Sequence, residues 1–283
     1  MKELKGRPVA DAIVREIQGR MEGVSAMLGR VPKLAILRCG EESADLTYER
    51  SALRMAQHCG IEAETYCFPK EVSEAVFSHT FHELNGLRAV DGILLMRPLP
   101  EHLNIGFLTS CIDARKDVDG VSPVNTAGIY AGSDESFAPC AAQAVIELLH
   151  YYQIPLAGKH VVVAGRSDVA GKPLAMLLLK EDATVTICHS QTEGLEKICK
   201  KADVVISAAG HPHLITEAFL RKGAVVVDVG ACTDENGKLC GDVDMESCRN
   251  KARALTPVPG GIGIVTTAVL MKHVMQAASQ DLL

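Results

Sequence analysis

Apolar and polar positions follow two rhythms along this chain. Short runs bounded by turn residues carry the aliphatic and β-branched side chains of buried strands: Leu34–Leu37, Thr65–Phe68, Gly92–Met96, His160–Ala164, Thr184–Ile187, Val204–Ser207 and Val225–Val229. Between them, Ala44–Cys59, Ser73–Leu87, Lys172–Leu179, Gly194–Lys200 and Ile215–Leu220 place apolar residues at helical spacing. Strands and helices in alternation imply βαβ units, and so parallel sheets covered on both faces. The rhythm breaks between Asp117 and Pro139, a stretch rich in Gly, Ser, Pro and Asn. A helix over Ala141–Tyr152 is predicted to follow, and Ile154 to Lys159 then leads into a new strand. The expected fold class is therefore α/β, with two α/β domains flanking a cleft. The first spans 1–122 and the second, of Rossmann type, 139–262. The apolar run from Thr266 to Ala278 predicts a terminal helix over 266–283 that packs back on the first domain.

Composition narrows the function classes. Hydrophobic residues make up 47% of the 283 and charged residues 23%, as in a globular protein with sizeable cores. A net charge of −6 with no basic cluster argues against nucleic acid as a partner, and the absence of tryptophan argues against a base-stacking surface. No apolar run reaches the ~20 residues of a membrane span, and Met1–Arg7 carries charge where a signal peptide has its apolar core. A cytoplasmic protein without membrane attachment is expected. The ten cysteines include no C-x-x-C pair, and the regular series Cys232, Cys240, Cys248 has no paired His or Cys to close a zinc site. Structural thiols and no bound metal are expected.

Three segments carry candidate chemistry. Thr256-Pro257-Val258-Pro259-Gly260-Gly261-Ile262-Gly263 packs two prolines and three glycines into eight residues before the last helix. Proline stiffens such a loop and glycine lets it approach a ligand; an ordinary strand-to-helix turn is the alternative. Val161 to Pro173 reads as a strand, a glycine turn and a helix start, with Gly165 and Gly171 in place of the three glycines of a dinucleotide fingerprint. That turn aims backbone N–H groups at an anion. The next strand ends in Cys188-His189-Ser190, without the carboxylate that accepts from the ribose of NAD. With Arg166 and Ser190 able to bind a phosphate, NADP is favoured; otherwise Arg166 is a surface charge and Ser190 a helix cap. Lys116-Asp117-Val118-Asp119-Gly120 sets two carboxylates at i, i+2, fit to bind a metal, cap a helix or grip a planar nitrogenous edge. Tyr48, on the helix after the first strand, is either a packed phenol or an acid–base group. No H-x-x-x-H pair and no G-x-S-x-G elbow is present, which leaves metallohydrolase and serine hydrolase readings unsupported.

Taken together these segments resemble the bifunctional methylenetetrahydrofolate dehydrogenase/cyclohydrolase (FolD) family. The likeness runs from Gly92-Ile93-Leu94-Leu95 and Pro98-Leu99-Pro100 through Lys116–Gly120, Gly165–Ser167, Gly171–Pro173, Cys188–Thr192, Asp228-Val229-Gly230 and Gly241–Asp244 to Thr256–Gly263. It implies NADP-linked oxidation of 5,10-methylenetetrahydrofolate to the methenyl form, then hydrolysis to 10-formyltetrahydrofolate, by a homodimer of one-carbon metabolism. It implies Tyr48 and Asp119 as catalytic residues, with Met96, Pro98, Leu99, Gly260 and Gly261 beside the tetrahydrofolate-type substrate. Gly165, Arg166, Ser167, His189, Ser190, Gly230, Ala231 and Thr266 are implied around the coenzyme. Asp119 is implied as the carboxylate that accepts both donors of the pterin edge.

Departures from the family pattern are severe at one place. The Tyr-x-x-x-Lys of the substrate helix reads Tyr48-Glu49-Arg50-Ser51-Ala52, and Gln-Leu-Pro-Leu-Pro reads Met96-Arg97-Pro98-Leu99-Pro100. Gly-Pro-Met-Thr reads Gly263-Ile264-Val265-Thr266, and Cys140 is followed by Ala141-Ala142 rather than Thr-Pro. Losing lysine and glutamine together removes a cooperating pair. Arg38, Arg50 and Arg97 lie near the affected elements, but a guanidinium does not exchange its proton at neutral pH. The expectation is dehydrogenase activity with the cyclohydrolase lost. A silent pterin- and NADP-binding paralogue and a dehydrogenase for an altered one-carbon carrier are the rivals.

Overall fold

The computed structural model describes residues 1–234 and 237–280, so the expected end of the last helix at 281–283 lies outside the described residues. Two compact units are present, Met1–Asp11 with Ala141–Thr266 and Ala12–Cys140 with Thr267–Leu283. In chain order, β1 (Lys2–Glu3) and α1 (Gly6–Leu28) precede β2 (Lys33–Cys39), α2 (Ser43–Cys59), β3 (Glu62–Phe68), α3 (Glu74–Gly86) and β4 (Gly92–Leu95). Two short helices follow, α4 (Ile105–Cys111) and α5 (Pro123–Ala131), and then α6 (Cys140–Tyr151). The remainder is β5 (His160–Ala164), α7 (Gly171–Lys180), β6 (Thr184–Cys188), α8 (Leu195–Cys199), β7 (Val204–Ser207) and β8 (Val225–Asp228). The strands β9 (Cys232–Thr233) and β10 (Leu239–Cys240), α9 (Met245–Cys248), β11 (Ala254–Leu255) and α10 (Ile262–Gln280) complete the described chain.

One unit holds a parallel sheet in the order β3-β2-β4. β2 lies at its centre, and Leu34 to Leu37 are wholly buried, as a strand covered on both faces must be. Leu37 pairs with Leu95 across the ladder. Phe77 and Phe81, one helical turn apart on α3, join Leu37, Ile93 and Leu95 in the core of that unit. Ser73 caps α3 by accepting from Val76 N.

The other unit holds a six-stranded sheet in the order β1-β11-β8-β7-β5-β6, with all five pairings parallel. Val161 to Val163 and Val225 to Val227 are wholly buried. These continuous apolar strands are the ones the sequence makes plainest.

Three expectations need correction. Residues 1–11 do not belong with the first domain: Lys2 and Glu3 pair in parallel with Ala254 and Leu255 at the edge of the six-stranded sheet. Ile215–Leu220 is not a helix, because Ile215 bridges to Val243 and only Glu217–Phe219 forms a 3-10 turn. The turn-rich stretch after Asp117 contains α5, whose start is set by Ser122 at the N-cap and Pro123 in the first turn.

Candidate active site

In the three-stranded sheet, chain order runs from β2 outward to β3 and then back across to β4. The strand order reverses between β2 and β4, and ligands of open α/β sheets sit beyond the carboxyl ends of such a pair. α2 leaves the carboxyl end of β2 and carries Tyr48, which is half-buried. Met96, Arg97, Pro98 and Leu99 leave the carboxyl end of β4; Met96 is buried and Pro98 is exposed. The Lys116–Gly120 loop runs beside β4, tied by the Ile93 N–H donating to Lys116 O at 2.7 Å.

The two aspartates of that loop have different work. Asp117 is wholly buried and accepts from Val121 N at 3.0 Å, Ser122 N at 2.7 Å and Asn125 Nδ2 at 2.8 Å. It braces the turn that leads into α5, whose N-cap is Ser122, so the turn reading holds for this residue. Asp119 points elsewhere. Its Oδ1 accepts the Cys140 N–H at 3.2 Å, and its Oδ2 accepts Arg97 Nη2 at 3.1 Å. After them Gly120 turns the chain at φ 60°, where a Cβ would lie 2.3 Å from Phe137 O.

Electrostatics binds these groups into one cluster. Desolvation pushes the Tyr48 hydroxyl well above its ordinary pKa, with the charges of Cys140 and Asp119 adding and Arg97 opposing. It therefore stays a phenol at neutral pH and can donate a hydrogen bond. Desolvation also raises Asp119, against the pull of Arg97 and of the Cys140 N–H. The Cys140 thiol is pushed well up by burial and then by Asp119. It donates to Val118 O at 3.3 Å, a carbonyl that also takes the His273 Nδ1 proton at 2.8 Å. Ala52, one helical turn beyond Tyr48, is wholly buried.

In the six-stranded sheet the order reverses between β5 and β7. Gly165 follows β5 at φ 138°, where a Cβ would lie 2.2 Å from Ala208 O beyond β7. A Cβ at Gly171 would meet Gly165 O at 2.1 Å. The first glycine therefore brings two strand ends together, and the second brings the start of α7 onto the first. The N-cap of α7, Ala170, offers no side-chain bond, the Lys172 N–H donates to Ser167 O at 3.1 Å and Pro173 has none, which leaves the Gly171 N–H at the start of the helix for a ligand. Arg166, Ser167 and Ser190 are exposed, and among the described residues no carboxylate pairs with Arg166. His189 is half-buried; its Nδ1 accepts from Gln191 N and its own N–H donates to Thr192 Oγ1. β6 ends without a carboxylate, and these residues fit a coenzyme that carries a 2′-phosphate.

Two aspartates whose motifs the sequence shows, but whose work it does not, hold the neighbouring loops. Asp228 accepts from Gly230 N at 2.9 Å, Asp242 N at 3.1 Å and Val243 N at 2.9 Å. Asp242 accepts from Ser207 Oγ at 2.9 Å, Ala209 N at 2.7 Å and His211 N at 2.9 Å. Gly230 and Ala231 thus leave β8 on a braced path. Of the proline–glycine loop, Gly260 is exposed at φ 103°, while Gly261 is buried with Pro257 O 2.5 Å from where its Cβ would be. Thr266 donates to Ile262 O within α10.

Comparison with known proteins places these features in a family. A family model for the tetrahydrofolate dehydrogenase/cyclohydrolase catalytic domain matches residues 4–119, and one for the NAD(P)-binding domain of the same enzymes matches residues 139–282. The bifunctional protein FolD of Clostridium kluyveri is 45% identical over 274 residues, covering 97% of this chain and 96% of that protein. The crystal structure of the bifunctional FolD of Campylobacter jejuni superposes with a TM-score of 0.96 at 34% identity, over 99% of each chain. The Trypanosoma brucei FolD, solved with NADP cofactor and inhibitor, gives 0.93 at 35% identity over 98% of this chain and 97% of that one.

Proposed function

The chain belongs to the tetrahydrofolate dehydrogenase/cyclohydrolase family, and on that footing we propose that it is an NADP-dependent 5,10-methylenetetrahydrofolate dehydrogenase of one-carbon metabolism that has lost the cyclohydrolase step. The observation that carries the reading is the wholly buried Ala52 one turn beyond Tyr48, beside an otherwise furnished site. Oxidation and hydrolysis ask different things of these residues. Oxidation needs the one-carbon bridge held in place, and positioning supplies most of that catalysis. Hydrolysis needs a water activated and a proton moved.

Asp119 is the anchor for the pterin. An ionised carboxylate has about four acceptor positions, two on each oxygen. The Cys140 N–H takes one on Oδ1 and Arg97 takes one on Oδ2, which leaves one on each oxygen for a planar pair of donors. Tyr48 donates its hydroxyl proton toward the substrate and does not release it. When bound, the nicotinamide supplies the hydride acceptor. Gly165, Gly171 and the α7 N-terminus receive its pyrophosphate, and Arg166 and Ser190 its 2′-phosphate. Thr266, Gly230 and Ala231 border the same coenzyme, and Met96, Pro98 and Leu99 the folate. Neither Tyr48, held as a phenol, nor Arg97, held as a guanidinium, can shuttle a proton at neutral pH in the place of the missing lysine.

A homodimer in the cytoplasm is the accompanying assignment. Among the described residues no helix is long and apolar enough to cross a membrane. The deciding experiment is a paired assay on one preparation: NADP reduction with 5,10-methylenetetrahydrofolate, and decay of 5,10-methenyltetrahydrofolate. Oxidation with no acceleration of the decay is expected. Acceleration by several orders of magnitude would overturn the loss of hydrolysis, and the absence of both activities would favour a silent binding paralogue.

A further inference from the structure

We propose that Arg97 is a positioning residue that keeps Asp119 ionised, so that its carboxylate can receive the donor edge of the folate. The proposal rests on the assignment of Asp119 as the pterin anchor and goes beyond it, since position 97 is where the family pattern has a leucine.

The geometry is specific. Arg97 lies in the segment leaving β4 and Asp119 in the loop beside that strand, 22 residues on, and the two meet at 3.1 Å. The side chains are only 27% and 20% exposed, so water screens the pair less than an open surface bridge. Every other named group facing Asp119 works without a positive charge or against one. From α2 comes the neutral Tyr48 phenol, from the start of α6 the Cys140 N–H and thiol, and from its own loop the negative charge of Asp117. His273 of α10 spends its Nδ1 proton on Val118 O. Arg97 is therefore the one named cation acting on this carboxylate.

The protonation state matters because the pterin presents donors. A carboxylate accepts from both; a carboxylic acid turns one oxygen into a donor and sets O–H against N–H. Burial alone drives Asp119 toward that unproductive form. A guanidinium holds its charge throughout the working range of pH, so it can supply a constant bias toward the carboxylate. It also leaves an acceptor position free on each oxygen, so pairing with Arg97 and binding the ligand are compatible.

The test uses the full chain saturated with NADP, titrated with tetrahydrofolate between pH 6 and 8.5. Arg97→Leu removes the charge and the bond, Arg97→Gln keeps a donor without the charge, and Asp119→Asn removes the acceptor. The wild type should bind with nearly constant affinity. Both Arg97 variants should bind severalfold more weakly at the acid end, where loss of the cation lets the buried carboxyl take up its proton, and recover toward wild type at the alkaline end. Asp119→Asn should bind weakly at every pH, while NADP affinity, as a check of folding, stays unchanged in all three. A loss in the Arg97 variants that is the same at every pH, tighter binding, or wild-type behaviour of Arg97→Gln would overturn the role of Arg97 with the anchor intact. Wild-type binding by Asp119→Asn would overturn the anchor itself.

Discussion

The backbone N–H of Asp242 donates to the Oδ1 of Asp228 at 3.1 Å, and each of these buried carboxylates braces a different loop at the carboxyl edge of the six-stranded sheet. Asp228 holds Gly230 and Val243; Asp242 holds Ala209 and His211. The loops that carry Gly230 and Ala231 are thus fixed from inside the fold before any coenzyme arrives.

This arrangement has a pH signature. Burial pushes Asp228 up to about 6, against three backbone N–H bonds that favour its ionised form. The folded state then binds its proton more tightly than the unfolded chain, whose carboxylate titrates near the ordinary 3.8. Stability from this group is greatest below that ordinary value and falls as pH rises through about 6, by up to about 3 kcal/mol. Asp228→Asn does not titrate. Its unfolding free energy, measured against wild type from pH 4 to 7, should therefore show wild type losing ground across this window. Parallel curves would mean that the N–H bonds hold Asp228 ionised throughout.

Coenzyme choice should reside at Arg166. Each charge-assisted bond to a 2′-phosphate is worth roughly 1.5–3 kcal/mol. Arg166→Ala should weaken NADP about 10- to 100-fold and leave NAD almost unaffected, as read by titrating both coenzymes into both proteins. If NAD binds wild type as well as NADP does, or the variant keeps its preference, the assignment fails.

The two neighbouring aspartates should separate cleanly. Asp117→Ala strands the Val121, Ser122 and Asn125 donors in the interior and should destabilise the protein by several kcal/mol. Asp119→Ala should cost about 2–4 kcal/mol in folate binding while leaving NADP affinity intact. Thermal melts with folate and NADP titrations read both effects. The idea is sunk if Asp119→Ala melts the protein as severely as Asp117→Ala while still binding folate.

How much of this was legible beforehand follows from the range of the interactions involved. β5, β7 and β8 are apolar runs buried on both faces, so their own residues announce them. β1 and β11 have two residues each, too few for any period, and exist because their partners are there. The Ser122-Pro123 start of α5 was present as a local signal but lay among turn-formers that masked it. At the site, motif likeness marked Tyr48 and Asp119 as candidates. It could not divide labour between Asp117 and Asp119, because that depends on where the turn before α5 points its N–H groups. Nor does any periodicity join Arg97 to Asp119; only the loop running back along β4 brings them together.

The missing lysine offers the most direct test of the hydrolytic loss. Losing a general acid–base typically costs about 10²–10⁴-fold in rate, whereas a transfer governed by positioning can survive. Replacing both absent groups, Ala52→Lys with Met96→Gln, should restore hydrolysis of the methenyl bridge by at least ~10²-fold. The structure adds a cost. Ala52 is wholly buried and Met96 is only 6% exposed, so the longer side chain overpacks its surroundings by about 1–3 kcal/mol and the melting temperature should fall. The same burial is useful for chemistry, since desolvation lowers a lysine toward neutrality, where it can both take and give a proton. Ala52→Lys alone should gain less, because Met96 offers its ammonium no hydrogen bond. The readout is the decay of 5,10-methenyltetrahydrofolate beside NADP affinity as a check of folding. A double variant that binds NADP normally and hydrolyses no faster than wild type would show that the lesion lies elsewhere than at positions 52 and 96.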